Sequence, residues 1–338
     1  HLLAQLLEAR FGPEAVLSSP GNENNEIGVS KLLLSARSSH RVLVIEMGAR
    51  HSGEIAELVG IALPQIGVLT NIGDAHLEIF GSRERLAETK WGLFSRGADA
   101  VLNANDEISR TRAASLHSAP RWFGEGKPSA PGAWIVDERT LAIRRDGGEK
   151  RFQIDVPFPG AHNRANLAAA VAVALMLEVP AAFIAERIRG LSLPAGRYQA
   201  IAFECGPRVI YDAYNANAGG TIASLNAFAS ENAQRRIAVL SSMAELGPDA
   251  PALHERVGAH AANLKLDYLL VGGDFGASLA AGAAGAGFPR ERIVPFGSNA
   301  EAAQWLRMQT TERDVVLLKG SRKYRMEEIV EAFRGGAP

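Results

Sequence analysis

Short runs of apolar, β-branched residues alternate along this chain with longer segments in which apolar residues recur every three or four positions. The short runs predict buried strands and the longer segments predict helices. Because two parallel strands must be joined by a crossover, usually a helix, this alternation predicts an α/β fold with mainly parallel sheets. The predicted strands lie near Arg41–Met47, Gln65–Asn71, Ala100–Asn103, Arg208–Asp212, Arg236–Ser241, Asp267–Val271 and Val315–Lys319. The predicted helices lie near Ser52–Val59, Ser82–Phe94, Asn163–Leu177, Thr221–Ser230, Ala252–Leu264, Ala300–Gln309 and Arg325–Phe333.

The length of 338 residues predicts two domains, at roughly 150 residues per domain. A boundary is expected near Leu193–Gly196, which divides the chain into residues 1–193 and 194–338. Between Trp134 and Val156, two polar-alternating runs flank the turn signal Asp146–Gly148 and predict an antiparallel hairpin added to the first sheet. The second part predicts a Rossmann-like, doubly wound domain. The segment Ala277–Gly287 is rich in Ala and Gly and predicts a loosely packed helix or loop.

Composition excludes several classes of protein. The 36 basic and 37 acidic residues give a net charge of −1, so bulk charge marks the chain neither for nucleic acid nor for anionic membranes. A single cysteine, Cys205, rules out an internal disulfide framework and fits a reducing cytoplasm. The apolar run Leu167–Leu177 is shorter than the ~20 residues that cross a bilayer. A cytoplasmic protein without a nucleic-acid or membrane partner is therefore expected.

Two residues at predicted strand ends can bind a metal ion. Glu46 ends the run VLVIE, and His76 follows the next predicted strand and its turn. Ligands bind at the carboxyl ends of strands in open α/β sheets, and a carboxylate there is a suitable partner for Mg²⁺. Alternatively, Glu46 forms a salt bridge or caps a helix, and His76 is a solvated loop residue. Lys90, in LAETKWGLF, on its own predicts an exposed helical lysine.

Four further segments allow both a binding role and a structural role. The loop Gly21–Gly28 holds Asn22, Asn24 and Asn25, which suit an anionic or peptide substrate or simply a turn. HNRAN at 162–166 suits the edge of a purine or N-terminal capping of a helix. Asp212 suits a ribose hydroxyl or a helix cap. Lys319, Arg322 and Lys323 form a small positive nest for a carboxylate or phosphate, or are solvated charges.

The order of these motifs resembles the Mur ligase family over essentially the whole chain, from about His1 to Phe333. The resemblance is carried by the segments GNENNEIG, VIEMGARHSGEI, LTNIGDAHLEIFGS, ETK, GAHNRAN, PAGR, YDAYNAN, MAELG, HERVG and LLKGSR. It implies a central ATPase-type domain followed by the Rossmann-like C-terminal domain. It also implies an ATP-dependent amide-bond ligase that uses Mg²⁺. Its substrates would be a UDP-linked muramoyl tripeptide, activated as an acyl phosphate, and D-alanyl-D-alanine.

The resemblance also implies a role for each matching residue. Glu46 and His76 would be metal ligands, and Lys90 would be carbamylated and so become a third acid at the metal. ATP would be bound by His162, Asn163 and Asn166 at the adenine, Asp212 at the ribose and Arg197 at the phosphates. The substrates would be bound by Asn22, Asn24, Asn25, Tyr214, Asn215, Asn217, Lys319 and Arg322. His254 also matches a family position, without a chemical role that the sequence suggests.

The chain departs from the family pattern at its start. The family has a uridine-nucleotide domain and then a Gly-rich phosphate loop, and neither is in these 338 residues. The helix predicted at His1–Phe11 lacks an N-terminal cap, as expected if its beginning had been removed. Without the loop, the β- and γ-phosphates of ATP lose most of their binding groups. YNANA also replaces the usual YNANP.

Two alternative functions remain open, and a third is disfavoured. The chain could be a non-catalytic nucleotide- or peptide-binding relative, or a ligase of the same superfamily that adds a different amino acid, such as a folyl-polyglutamate-type enzyme. A dehydrogenase is disfavoured because no predicted strand opens into G-x-G-x-x-G followed by a helix.

Overall fold

The computed structural model describes residues 1–73, 77–145, 147–203 and 206–334. For Leu77 and Glu78 it describes the backbone alone. The chain divides into two compact units, the first containing His1–Gly73 and Ile79–Ser192 and the second containing the chain from Leu193 onward. The helices of the first unit are α1 (Leu2–Phe11), α2 (Glu26–Leu34), α3 (Glu54–Ala62), α4 (Leu77–Phe80), α5 (Arg83–Trp91), α6 (Glu107–Arg112), α7 (Ala161–Met176) and α8 (Ala181–Arg187). Its strands are β1 (Val16–Ser18), β2 (Val42–Val44), β3 (Ile66–Leu69), β4 (Asp99–Asn103), β5 (Arg121–Glu125), β6 (Gly132–Asp137), β7 (Thr140–Arg145) and β8 (Gly148–Gln153).

The second unit has five helices and six strands in its described residues. Its helices are α9 (Ala218–Phe228), α10 (Ala250–Ala262), α11 (Gly276–Gly285), α12 (Asn299–Gln309) and α13 (Glu327–Arg334). Its strands are β9 (Gln199–Ile201), β10 (Arg208–Tyr211), β11 (Arg236–Leu240), β12 (Tyr268–Val271), β13 (Ile293–Pro295) and β14 (Val315–Lys319). The Ala- and Gly-rich segment from 277 therefore lies in a regular helix, α11.

The main sheet of the first unit has the order β3-β4-β5-β6-β7-β8. Strands β3 to β6 are parallel and β6 to β8 are antiparallel. The predicted hairpin is confirmed as β7–β8, and β6 extends it to a three-stranded meander. Helix α7 contacts β4, β5 and β6 as well as α1, and its segment Leu167–Ala174 is buried throughout. Nowhere in the described chain is a helix both long and apolar enough to cross a bilayer.

The strands predicted near Arg41–Met47 and Gln65–Asn71 belong to different sheets in the described chain. Strand β2 pairs in parallel with β1 in a separate two-stranded sheet, whereas β3 is the edge of the main sheet. The alternation of side chains identifies a strand, but it carries no information about which strand lies beside it.

The second sheet is doubly wound, as predicted. Its order is β13-β12-β11-β14-β10-β9, and only β9 runs antiparallel. Successive side chains of β11 enter different apolar clusters because strand side chains alternate between faces. Leu240 packs in the cluster that contains α9, α10 and α11, whereas Val239 packs in the cluster that contains α12 and α13. The sheet is thus covered by helices on both faces.

Helices α10 and α11 approach each other so closely that only glycine fits at two positions. A Cβ at Gly258 would lie 2.0 Å from the Leu279 carbonyl oxygen, and one at Gly282 would lie 2.0 Å from the Glu255 carbonyl oxygen. Both obstacles are backbone atoms, so relief would require the helices to separate. By contrast, nothing lies within 4 Å of a Cβ at Gly285, near the end of α11.

We expect Gly258→Ala or Gly282→Ala to lower the free energy of unfolding by about 1–3 kcal/mol, because an added methyl group forces apart two packed helices. Gly285→Ala is the matched control and should be neutral or stabilising by up to ~1 kcal/mol, since alanine favours helix. Urea unfolding of the three variants measures both effects. Equal stabilities for all three would contradict the close approach of α10 and α11.

Candidate functional site

The backbone of Thr70–Gly73, which follows β3, is held by side chains from elsewhere in the first unit. Asn103 Nδ2 donates to the Thr70 carbonyl (2.8 Å), Lys90 Nζ to the Asn71 carbonyl (3.4 Å) and Arg83 to the Ile72 carbonyl (3.0 Å), while Asp106 Oδ1 accepts from the Ile72 amide (3.5 Å). These contacts fix the loop at the carboxyl end of β3. His76 lies just beyond this loop and outside the described residues.

Lys90 is half-buried near the end of α5, beside this loop. Burial lowers the pKa of its amine, and the carboxylate of Asp106 opposes the shift. A lowered pKa leaves a larger fraction of the amine uncharged at neutral pH than in an exposed lysine. Lys90 is therefore not the ordinary solvated lysine that its helical position suggested.

Glu46 lies two residues after β2, and its carboxylate is oriented by an asparagine. Asn24 Nδ2 donates to Glu46 Oε1 (2.8 Å), and the Glu46 amide donates to Ser19 Oγ (3.0 Å). Asn24 also accepts a backbone hydrogen bond from Gly48, where an added Cβ would clash with the Asn24 side chain. The carboxylate is exposed and retains further lone pairs for a cation.

The other asparagines of the first loop have different surroundings. Asn25 is the N-cap of α2, and its side chain accepts from the Gly28 amide (3.0 Å). Asn22 is exposed, and its carbonyl accepts from the Asn24 amide (2.9 Å). The structure thus gives Asn25 a capping role, as the turn interpretation allowed, and places Asn24 beside Glu46.

The residues predicted at the adenine begin α7. Asn163 is buried and donates to the Pro159 carbonyl (2.8 Å), so its amide closes the turn before the helix. Asn166 is exposed, and it shares a helix face with the half-buried His162 four residues earlier. Arg164 forms ion pairs with Glu125 (3.0 Å) and Glu138 (2.6 Å), which connect the start of α7 to β5 and to the turn after β6.

In the second unit, Asp212 and Lys319 form a buried ion pair at the carboxyl ends of β10 and β14. Lys319 Nζ lies 3.1 Å from Asp212 Oδ2 and donates to the Asn215 carbonyl (2.8 Å). The other Asp212 oxygen accepts from the Tyr198 amide (3.2 Å). Burial lowers the pKa of Lys319, and the adjacent Asp212 carboxylate opposes that shift. Both side chains are engaged within the unit.

Tyr214 brings together two arginines that lie 125 positions apart in the sequence. The guanidinium of Arg197 lies 4.6 Å from the centre of the Tyr214 ring, and that of Arg322 lies 5.7 Å from it. Gly196, with φ of +74°, carries the chain close to Tyr214. Both arginines are exposed, so they present positive charge to a ligand while the ring orients them.

The two asparagines that follow Tyr214 stabilise the local chain. Asn217 is the N-cap of α9 and accepts from the Gly220 amide (2.7 Å). Asn215 is exposed; its side chain accepts from the Ala216 amide (2.8 Å), and its carbonyl binds Lys319. The predicted substrate residues of this unit thus lie together around one edge of the sheet.

His254, for which the sequence suggested no role, holds the loop that follows β11. It is fully buried, its Nε2 accepts from the Met243 amide (2.8 Å) and its Nδ1 contacts the Ala250 carbonyl (2.6 Å). These partners require the neutral tautomer with the proton on Nδ1. Burial lowers the pKa of His254, which keeps the ring neutral.

Sequence reasoning missed several residues that shape these sites. Arg83, Asn103 and Asp106 position the loop after β3, and Arg164 anchors α7. Asn103 ends the predicted strand Ala100–Asn103, whereas the other three stand away from predicted strand ends, and each of the four has a partner at least 11 positions away in the sequence. Within the described residues, no group of three or more His, Cys, Asp or Glu side chains is placed to hold a metal ion.

Comparison with known proteins covers both units. The model of the Mur ligase middle domain matches residues 1–174, and that of the Mur ligase glutamate ligase domain matches residues 196–322. The UDP-N-acetylmuramoyl-tripeptide–D-alanyl-D-alanine ligase of Synechocystis is 35% identical over 84% of this chain and 62% of its own length. The Escherichia coli ligase of the same name is 31% identical over 94% of this chain and 71% of its own length. The chain thus spans about two thirds of the length of these curated relatives.

Solved structures agree with these matches. A crystal structure of MurF from Acinetobacter baumannii superposes with a TM-score of 0.84 at 26% identity, covering 98% of this chain and 74% of that one. MurF ligase from Thermotoga maritima in complex with ADP has a TM-score of 0.81 at 26% identity, covering 99% and 76%. With both domain models matched in order, and with relatives above 30% identity over most of its length, the chain belongs to the Mur ligase family.

Proposed function

We propose that this chain forms the ATP-dependent ligase that joins D-alanyl-D-alanine to a UDP-N-acetylmuramoyl tripeptide during peptidoglycan synthesis. The observation that carries the proposal is the shared name of curated relatives that match 84% and 94% of the chain at 35% and 31% identity. The fit to MurF ligase from Thermotoga maritima, which was crystallised with ADP, supports an adenine nucleotide as the second substrate.

The proposed reaction forms one amide bond for each ATP. An oxygen of the tripeptide's terminal carboxylate attacks the γ-phosphorus, the bond to ADP breaks, and an acyl phosphate results. The dipeptide's neutral amine then attacks the acyl carbon; phosphate leaves with its bonding electrons, and the nitrogen loses one proton. The protein's main contributions are to hold two anions together and to stabilise the charge of the transferring phosphoryl group.

Nucleotide-binding roles are proposed for residues of each unit. In the first unit, His162, Asn163 and Asn166 are proposed at the adenine; the shared helix face of His162 and Asn166 supports a common partner. In the second unit, Arg197 is proposed at the phosphates, supported by its exposed guanidinium. A ribose contact by Asp212 stays a prediction. Its carboxylate already binds Lys319 and the Tyr198 amide.

Mg²⁺ is proposed as the cofactor because Glu46 offers it a suitable ligand. The carboxylate is exposed and oriented by Asn24, which fits the oxygen-rich coordination that Mg²⁺ prefers. His76 and a carbamylated Lys90 are proposed to complete the protein ligands. The bound ion would neutralise phosphate charge.

Carbamylation of Lys90 is proposed because its surroundings favour the uncharged amine. The amine nitrogen would attack CO₂, form a C–N bond and release one proton, which converts a cation into an anion. Only the neutral amine has the lone pair for this step, and burial lowers the pKa of Lys90 in that direction. The contact between Lys90 and the Asn71 carbonyl places the group beside the loop that leads to His76.

Domain bounds, substrate-binding residues, cellular location and oligomeric state are proposed as well. Residues 1–193 are proposed as the central, ATP-binding domain and 194–338 as the C-terminal domain; the two matched family models support this division. Asn22, Asn24 and Asn25 are proposed near the muramoyl peptide, with Tyr214, Asn215, Asn217, Lys319 and Arg322 on the substrate face of the C-terminal domain. A cytoplasmic monomer is proposed from the cysteine usage and the family.

We expect Lys90→Ala in the natural gene product to lower kcat by on the order of 100-fold, as is typical when a metal's protein environment is disrupted. Added formate or acetate should restore part of the activity because a free carboxylate can occupy the place of the carbamate. Phosphate release in the complete reaction measures both effects. The exposed lysine Lys31 of α2 provides the control, and Lys31→Ala should keep full activity. Full activity of Lys90→Ala would remove Lys90 from the site.

We expect D-alanyl-D-alanine to give the highest kcat/KM among amino acids and dipeptides offered with the UDP-muramoyl tripeptide and ATP. One ADP and one phosphate should form for each amide bond, measured by phosphate release and mass spectrometry. Preference for another acceptor would assign a different ligase of the superfamily. Nucleotide binding without any amide product would assign a non-catalytic relative.

A further inference from the structure

A cavity of about 980 Å³ lies in the first unit at the amino ends of its parallel strands. Asp99 and Ala100, which begin β4, line it together with Arg121, which begins β5. The opposite end of β4 is Asn103, which holds the loop after β3. At about 3.3 Å per residue, the two ends of this strand lie roughly 13 Å apart. None of the described residues assigned above to metal, nucleotide or substrate lines the cavity.

Two arginines line the cavity from the strands on either side of β6. The pairs of Trp122 with Gly132 and of Gly132 with Arg144 place Arg121 and Arg145 together in the next row of the sheet. With two strand spacings of about 4.8 Å between them, their backbones are roughly 10 Å apart, which lets two long side chains reach one anion. Both are exposed, and neither forms an ion pair with an acidic residue of the described chain.

Glu178 adds a carboxylate to the cavity at a backbone position that favours glycine. It follows α7 with φ of +59°. The Glu178 amide donates to the Leu175 carbonyl (3.2 Å) and the Val179 amide to the Ala174 carbonyl (3.0 Å), a pattern in which helices commonly end on glycine. A residue with a side chain is strained there. The chain therefore carries this carboxylate at a cost in stability, as is common at binding sites.

The remaining walls suit the carbon skeleton of a small molecule. Ala133 and Ile143 of the sheet are buried, and Leu175, Met176 and Val179 at the end of α7 add further apolar surface. Ligand sites combine such walls with a few polar groups and span about 300–1,000 Å³. The cavity has both the size and the mixed lining of such a site.

The charges of the cavity select the class of ligand. Its three arginines and two carboxylates give a net charge of +1 and are Arg121, Arg144, Arg145, Asp99 and Glu178. Arg144 already donates to the Pro128 carbonyl (3.0 Å), whereas Arg121 and Arg145 can bind a phosphate through paired N–H groups. The carboxylates oppose a second anionic group, but they accept hydrogen bonds from hydroxyl groups. A single phosphate on a hydroxylated skeleton satisfies both conditions.

We propose that this cavity binds a small sugar phosphate, with Arg121 and Arg145 at its phosphate, Asp99 and Glu178 at its hydroxyl groups and the apolar walls against its ring. Because the cavity lies at the opposite strand ends from the loop that leads to His76, this ligand is not a substrate of the proposed ligation. The inference goes beyond that reaction and does not depend on it.

The test is calorimetric titration of the natural gene product and its variants with glucose 6-phosphate as the probe. Inorganic phosphate and glucose should each bind roughly tenfold or more weakly than the probe, because each makes only part of its contacts. Arg121→Met and Arg145→Met should each weaken binding of the probe roughly tenfold or more, as expected for lost charge-assisted hydrogen bonds.

Glu178→Gly separates the loss of a ligand contact from a loss of folding. Glycine relieves the positive φ, so this variant should be at least as stable to urea as wild type. Its affinity for the probe should nevertheless fall by roughly threefold or more, because a hydroxyl group loses its partner. Arg139, exposed in the turn at the other end of β6 and β7, provides the control, and Arg139→Met should bind the probe like wild type.

Unchanged affinity in Arg121→Met and Arg145→Met, or no saturable binding of the probe at millimolar concentration, would overturn the proposal. Inorganic phosphate that binds as tightly as the probe would overturn the assignment to a sugar phosphate. These titrations contain neither ATP nor an acceptor, so their failure would leave the ligase function intact. Absence of the amide product in the ligation assay would instead overturn the proposed function and leave this site unaffected.

Discussion

The buried ion pair between Asp212 and Lys319 organises the carboxyl edge of the second sheet. Removing two charges from water is costly, and the cost is offset only when each charge is fully partnered. Here Asp212 also accepts from the Tyr198 amide, and Lys319 also donates to the Asn215 carbonyl. The pair therefore joins the ends of β10 and β14 to the segments on which Arg197 and Tyr214 lie. The positions of Arg197 and Tyr214 therefore depend on the buried contact between Asp212 and Lys319.

Strand β14 separates two chemically different regions at this edge. On the β10 side, the ring of Tyr214 orients two exposed guanidinium groups, which favours anions. On the β11 side, Glu245, Asp274 and Lys323 line a cavity with apolar walls and a net charge of −1. The separation of the two regions by one strand keeps the acidic cavity apart from the arginines.

Sequence patterns predicted the parts of this structure that depend on local chemistry. The alternation of strands and helices gave the doubly wound sheet, and strand-end positions identified Asp212 and Lys319 before their contact was known. Sequence patterns did not predict contacts between residues that are distant in the chain. Asn103 and Arg83 contact the loop after β3 across 33 and 11 positions, and no periodicity encodes such pairs. The pairing of β2 with β1 was missed for the same reason, since alternation shows a strand's faces and not its neighbour.

A double-mutant cycle on Asp212 and Lys319 tests most directly whether the ion pair organises this edge. The free energy of unfolding would be measured for wild type, Asp212→Asn, Lys319→Met and the double variant. Each single change should cost about 3–5 kcal/mol because it leaves a buried charge without its partner, and the double variant should lose far less than the sum. Additive losses would show that the two charges do not depend on each other and would contradict the account.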